Sequence, residues 1–426
     1  MMKSEFETEK IIGTEYYITD SSGTGGILRK TPEDFIVKEI YGEKKMTGGP
    51  YLICELEKTN WELQRAVKEI SKRLGISHRR IGWAGTKDKN AVTTQLISLY
   101  NIDEERISAL TIKDMVLKPV GRANAQLSLG ELKGNSFGIT ISDCDCGEDK
   151  MRAAAEECRI AGEKGIIPNY YGIQRFGAAR PISHLAGLEI LKGNYESAVA
   201  CYVGMSFPDE RQETREARDI YYKNRDPVEG LNVIPVFLRY ERAMLHHLTE
   251  IPGDYQGALK VLPPKLLSML VSACQSYIFN RALSHRIESG TGLDEIVTGD
   301  RIIFTGGKED IADDKNINTA KVHMKRGRCM PAIFMPGSEE YRVCGETDTY
   351  IEEVMAELGI NRESYRTAAA FTETSFKGNT RPAAIKADIS YELLENSMKL
   401  DFTLPPGHYA TTVCREIMKT KPLDMA

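Results

Sequence analysis

Strand-like alternation occupies both ends of this 426-residue chain and gives way to helical spacing between them, and that arrangement constrains the fold more than any other feature. Near the start, Phe35, Val37 and Glu39 share one face of a predicted strand, while Ile36, Lys38 and Ile40 share the other. Pro32 marks the turn before it, and Tyr51–Glu57 reads as a second strand. Near the end, Ile385, Ala387 and Ile389 alternate, Lys399–Leu404 follows, and Pro405-Pro406-Gly407 leads into a closing helix. From about Ala178 to Ser289, Leu185, Leu188 and Leu191, and later Leu266, Leu270, Cys274 and Tyr277, recur at helical spacing. Pro208, Pro227, Pro235, Pro252, Pro263 and Pro264 mark the joints. The pattern predicts one sheet domain built from both ends of the chain and interrupted by a helix-rich insertion. Residues 1 to about 25 read as a flexible, glycine-ended entry, and no internal repeat stands out.

Chemistry concentrates in the first part. After Thr59, which has capping-box spacing to Glu62 with Asn60 as a second candidate cap, Leu63, Ala66, Val67, Ile70 and Leu74 predict a helix stopped by Gly75. Ile81–Gln95 then reads as strand, tight polar loop and strand, with Gly85 expected to allow the turn. Asp88 sits at the tip between Lys87 and Lys89, and nearby positive charge favours its ionised form. A carboxylate held ionised in a cleft can serve as base, nucleophile or metal ligand. A charged hairpin tip in water has the same composition. Gln126–Leu129 and Phe137–Ile141 predict a hairpin whose exit presents Asn135 and Phe137; Phe137 shares a face with Ile139 and Ile141, so a plain core role is the alternative. Asn169–Gly177 combines Tyr170, Tyr171, Gln174, Arg175 and Phe176, groups that stack on and hydrogen-bond to nucleic acid but that also suit a domain junction.

Hydrophobic residues make up 41% of the chain and charged residues 27%, a soluble globular balance, and no apolar run approaches the roughly 18 residues of a membrane helix. The polar, partly acidic start resembles no signal peptide, so the cytoplasm is expected. Nine scattered cysteines without a C-x-x-C pair predict free thiols rather than a zinc site, Cys144-Asp145-Cys146 included. The histidines have no ligand-like spacing. A net charge of −5 argues weakly against nucleic acid, but location matters more than the sum. Lys58, Arg65, Lys68, Lys72, Arg73, Arg79, Arg80, Lys87 and Lys89 outnumber Glu62, Glu69 and Asp88 between Lys58 and Asn90, a candidate basic patch; Lys321, His323, Lys325, Arg326 and Arg328 form a second.

Five motifs stand in order: Pro32-Glu33-Asp34-Phe35, Ala84–Gln95, Lys133-Gly134-Asn135-Ser136-Phe137, Pro168–Gly177 and Leu404–Thr411. Together they resemble the TruD family of RNA pseudouridine synthases, over about residues 25 to 420. The resemblance implies an α+β fold: a catalytic domain with a mixed, mainly antiparallel sheet and helices in permuted order, plus a helix-rich α/β insertion domain. It divides the chain into residues 1–170 and 372–426 for the catalytic domain and 171–371 for the insertion, with an RNA cleft between them. It puts the family's catalytic aspartate on Asp88, its active-site asparagine and phenylalanine on Asn135 and Phe137, and a basic partner on Arg29 or Lys87. It implies uridine-to-pseudouridine isomerisation in tRNA, position 13 being the bacterial target, with other RNAs accepted by related proteins. No cofactor, metal or obligate protein partner is implied. An RNA-binding protein that keeps the fold without catalysis, and a metal-dependent phosphotransfer enzyme using Asp88, are the alternatives. The first leaves the Asp88 anion beside phosphates unexplained. The second lacks a phosphate-cradling glycine loop and neighbouring carboxylates.

Overall fold

A computed structural model describes residues 2–42 and 46–426. In chain order the first part holds β1 (Gly25–Leu28), β2 (Phe35–Ile40), β3 (Tyr51–Thr59), α1 (Leu63–Leu74), β4 (Ile81–Trp83), β5 (Val92–Tyr100), β6 (Met115–Ala123), β7 (Gly134–Cys144) and α2 (Glu148–Lys164). The helical middle includes α3 (Ser183–Leu191) and α4 (Pro264–Glu288), followed by β8 (Arg301–Phe304), β9 (Glu309–Ile311), β10 (Cys329–Met335) and β11 (Asn379–Pro382). The last part supplies β12 (Ile389–Leu394), β13 (Ser397–Leu404) and α5 (Ala410–Met418).

Strands from both ends of the chain meet in one nine-stranded sheet of order β12-β13-β7-β2-β5-β3-β6, with β1 also on β7 and β4 also on β5. Its pairs are antiparallel apart from β2 on β5, where Ile36, Val37 and Lys38 run parallel to Val92, Thr93 and Thr94. The alternation at both chain ends predicts this shared sheet, and the α+β class with a mixed, mainly antiparallel sheet is the one the family resemblance implies. A separate antiparallel sheet has the order β9-β8-β10-β11. Ile167–Pro168 pairs antiparallel with Ala384–Ile385, so the chain leaves for the helical part and comes back at one hydrogen-bonded point.

Each half of the large sheet has its own apolar cover. Leu63, Ala66, Val67, Ile70 and Leu74 of α1 pack with Leu52, Cys54 and Leu56 of β3 and Ile97 and Leu99 of β5. Met151, Ala154 and Cys158 of α2 and Val413 and Ile417 of α5 pack with Ile139, Ile141 and Leu400. The helical middle has a distinct core. Among the described residues no helix is long and apolar enough to cross a membrane.

Three local expectations change. Glu62 caps α1, its carboxylate accepting from Gln64 N–H and Arg65 N–H, because Thr59 is still the last residue of β3. Gly75 stops the helix in the left-handed region, φ 63°. Gln126–Leu129 forms no strand, and β7 has no hairpin partner there; β13 lines one of its edges and β2 and β1 the other. A central strand fills both edges with whatever the tertiary fold brings, not with its sequence neighbour. The first residues are not loose: helix Glu7–Ile11 brings Glu9 2.6 Å from Arg415 of α5, both buried, and Met2–Lys3 pairs with Tyr16–Tyr17.

Candidate active site

Residues 84–91 join β4 to β5, and their backbone is tied down along its length. Gly130 N–H donates to the Ala84 carbonyl at 2.8 Å, and Gln95 Nε2 to the Gly85 carbonyl at 3.1 Å. Lys58 Nζ donates to the Asp88 carbonyl at 2.9 Å, and Asn60 N–H to the Ala91 carbonyl at 3.1 Å. Gly85 does not take a left-handed turn. A Cβ there would stand 2.8 Å from Lys87 Nζ and 3.0 Å from Glu39 Oε1, so the glycine leaves room for that ion pair.

The two cations offered for Asp88 separate cleanly. Lys87 turns inward and meets Glu39 of β2 at 2.5 Å, with both side chains buried. Arg29 stands 3.6 Å from Asp88 Oδ1; its side chain is 8% exposed and that of Asp88 50%. Arg29 follows β1 at φ 57°, where the chain leaves the edge of β7 before β2 resumes it. Its guanidinium lies 3.8 Å over the Phe35 ring and donates to the Met425 carbonyl at 3.1 Å. Burial lowers the Arg29 pKa and the Asp88 charge opposes that shift. One oxygen of Asp88 is thus faced by a fixed cation while half the carboxylate stays open.

Asp88, Arg29, Asn135 and Phe137 line one cleft of about 510 Å³, together with Gln174 and residues 406–411. Phe137 is 6% exposed, stacked on Phe402 at 5.5 Å between ring centroids and edge-on to Phe35 at 6.3 Å. It is core and cleft wall at once. Asn135 Oδ1 is a buried acceptor without a hydrogen-bond partner among the described residues. The far wall is braced from β11. Arg381 donates to the Gly407 carbonyl at 2.7 Å and to Asn169 Oδ1 at 2.6 Å, and its guanidinium lies 4.2 Å over Tyr171. Gln174 donates to the same Met425 carbonyl as Arg29. His408, half-buried on this wall, has its pKa pushed down to about 4 by burial and by Arg381.

The family model described as "tRNA pseudouridine synthase D (TruD)" matches residues 11–417. The chain belongs to the TruD family. Among TruD relatives, the "Probable tRNA pseudouridine synthase D" of Methanococcoides burtonii is 39% identical over 98% of both chains. That of Methanosarcina acetivorans is also 39% identical, over 99% of this chain and 98% of its own. A chain solved from Methanosarcina mazei under the same family name superposes with a TM-score of 0.85 at 38% identity, covering 98% of this chain and 99% of its own. The helical part of this TruD chain is thus within the shared fold rather than appended to it.

Three residues around this cleft have no place in it by sequence alone. Glu39 carried a signal: it alternates onto the face of Phe35 and Val37, and an acid on an apolar face calls for a buried cation. Lys58 was counted with the solvent-facing basic patch, yet it is fully buried and continues the inward face of Leu52, Cys54 and Leu56. Arg381 had no local signal, since its partners come from sequence-distant segments.

Proposed function

We propose that this chain isomerises uridine to pseudouridine in tRNA, with the Asp88 carboxylate as the reacting group and uridine 13 as the target. The observation that carries this is a half-open carboxylate beside a buried arginine, at the wall of a cleft that also holds Asn135 and Phe137. The reaction breaks the bond from uracil N1 to C1′, turns the base, and joins C5 to C1′. N1 gains a proton and C5 releases one, so atoms and charge balance with no oxidant or reductant. Asp88 either attacks the nucleotide or removes a ribose proton; both use the carboxylate anion, and Arg29 stands 3.6 Å from it.

Extruding the base costs a few kcal/mol, and stacking on Phe137 returns about 1–3 kcal/mol. Asn135 Oδ1 is an acceptor awaiting a donor, and the uracil N3–H is one. We take the sheet domain as residues 1–170 with 372–426 and the insertion as 171–371; the sheet domain supplies most of the cleft wall and the insertion adds Gln174. Release of tritium from tRNA labelled at uracil C5 tests the reaction, because a protein that only binds RNA leaves that hydrogen in place. Asp88→Asn should abolish release while tRNA Kd stays close to that of the parent; release at the parental rate removes Asp88 from the role. Mapping pseudouridine in tRNA exposed to the protein tests position 13.

A further inference from the structure

We propose that Lys58 is the positioning residue of this site: its ammonium, buried beneath the 84–91 loop, fixes the Asp88 backbone and with it the place of the carboxylate. The proposal rests on Asp88 being the reacting group. The Asp88 side chain itself is loosely held, half exposed and 3.6 Å from one guanidinium nitrogen, so the backbone decides where it stands. The loop around it is exposed at Thr86, Lys89 and Asn90. Loops of this kind shift on nanosecond to microsecond timescales unless restrained.

The other ties hold Ala84, Gly85 and Ala91; at Asp88 itself Lys58 Nζ supplies the restraint, donating to the Asp88 carbonyl at 2.9 Å and to the Trp61 carbonyl at 2.6 Å. One buried cation therefore ties the loop to the turn that enters α1, through charge-assisted hydrogen bonds. Among the described residues no carboxylate lies within ion-pair distance of it. Burial pushes its pKa down to about 8, with the Asp88 charge opposing. For stability alone, an apolar side chain of similar length on this inward face of β3 would do better than a cation bonded only to neutral carbonyls. What the ammonium returns is a loop that does not wander, and a misplacement of about 1 Å at a reacting group costs on the order of 100-fold in rate.

Lys58→Met keeps the length and removes the donors. The expected result is kcat about 100-fold lower, KM and tRNA Kd within about threefold of the parent, and Tm unchanged or higher. A folded variant with kcat within about threefold of the parent overturns the proposal, as does a fall in Tm with kcat per folded molecule retained. If the methionine variant does not fold, Lys58→Gln replaces it: one amide N–H still reaches one carbonyl, and kcat should fall about 10-fold. Failure of both to fold makes Lys58 a folding determinant and also overturns the proposal. Asp88→Asn in parallel separates the two ideas. Full activity there defeats the role of Asp88 itself; an inactive Asp88→Asn beside a fully active Lys58→Met defeats only the positioning role.

Discussion

Phe137 packs on Phe402 at 5.5 Å while it faces the cleft, so its replacement acts twice. Phe137→Ala should cost about 3–5 kcal/mol of stability, read from urea unfolding, as well as productive tRNA binding. Phe137→Leu keeps most of the volume and should cost about 1–2 kcal/mol, yet it removes the stacking face. Its kcat/KM in the tritium assay should fall further than its stability; parallel losses would make the ring core alone. His184 bears on pH. It is 2% exposed between the Phe176 and Tyr277 rings, and burial pushes its pKa down to about 4. An unfolded histidine protonates near pH 6.5. Between about pH 4 and 6.5 the unfolded chain holds the extra proton and the native chain does not. Stability contributed here therefore rises with pH across that window and is lost on acidification. His184→Phe should flatten the dependence, narrowing the gap between urea midpoints at pH 5 and pH 7; an unchanged gap would assign the slope to other groups.

At the level of single elements, type was legible and partner was not. Period-2 alternation found β2, β3 and β13, and period-3.6 spacing found α1, α3 and α4, because a side chain's face depends only on its own backbone. The Asp88 loop was legible as a polar loop between strands. Its internal electrostatics were not, because Lys87 and Glu39 lie on different elements and only the parallel pairing of β2 with β5 brings them together. Lys87→Met should destabilise by about 1–3 kcal/mol by removing one of the groups that face a buried carboxylate, and adding Glu39→Leu should recover part of it in a double-mutant cycle. A short repeat also escaped notice. Gly193-Asn194-Tyr195 and Gly253-Asp254-Tyr255 each open a helix, with glycine φ of +75° and +83° and nearly equal cap angles at Asn194 and Asp254. Two brief copies far apart carry too little periodicity to announce themselves.

Across the whole molecule, long-range closure organises the site. The Glu9–Arg415 pair anchors the first residues on α5, and the Met425 carbonyl receives both Arg29 and Gln174. Arg381 reaches from β11 to the Gly407 turn, linking the small sheet to the cleft wall. Charge is likewise a matter of placement. The chain is net −5, but Arg65, Lys68, Lys72 and Arg73 stand exposed on α1, whose entry turn shares Lys58 with the Asp88 loop. If that face carries tRNA phosphates, Lys68→Gln with Lys72→Gln should weaken binding and reduce the slope of log K against log salt by about 1–2. Tritium release at saturating tRNA should be unaffected. An unchanged salt slope would place the phosphates elsewhere.

Sequence alone determined many of the strands and helices, that both ends of the chain share one sheet, and that Asp88, Asn135 and Phe137 belong to ordered motifs resembling the TruD family. These follow from local backbone periodicity and from runs of neighbouring residues. Only the tertiary structure decided that Arg29 faces Asp88, that Lys87 belongs to Glu39, that Lys58 lies under the loop and that Arg381 braces the far wall. An ion pair or a buried hydrogen bond depends on a few ångströms between segments tens to hundreds of residues apart, and that separation is set by strand order and register, which no local pattern encodes.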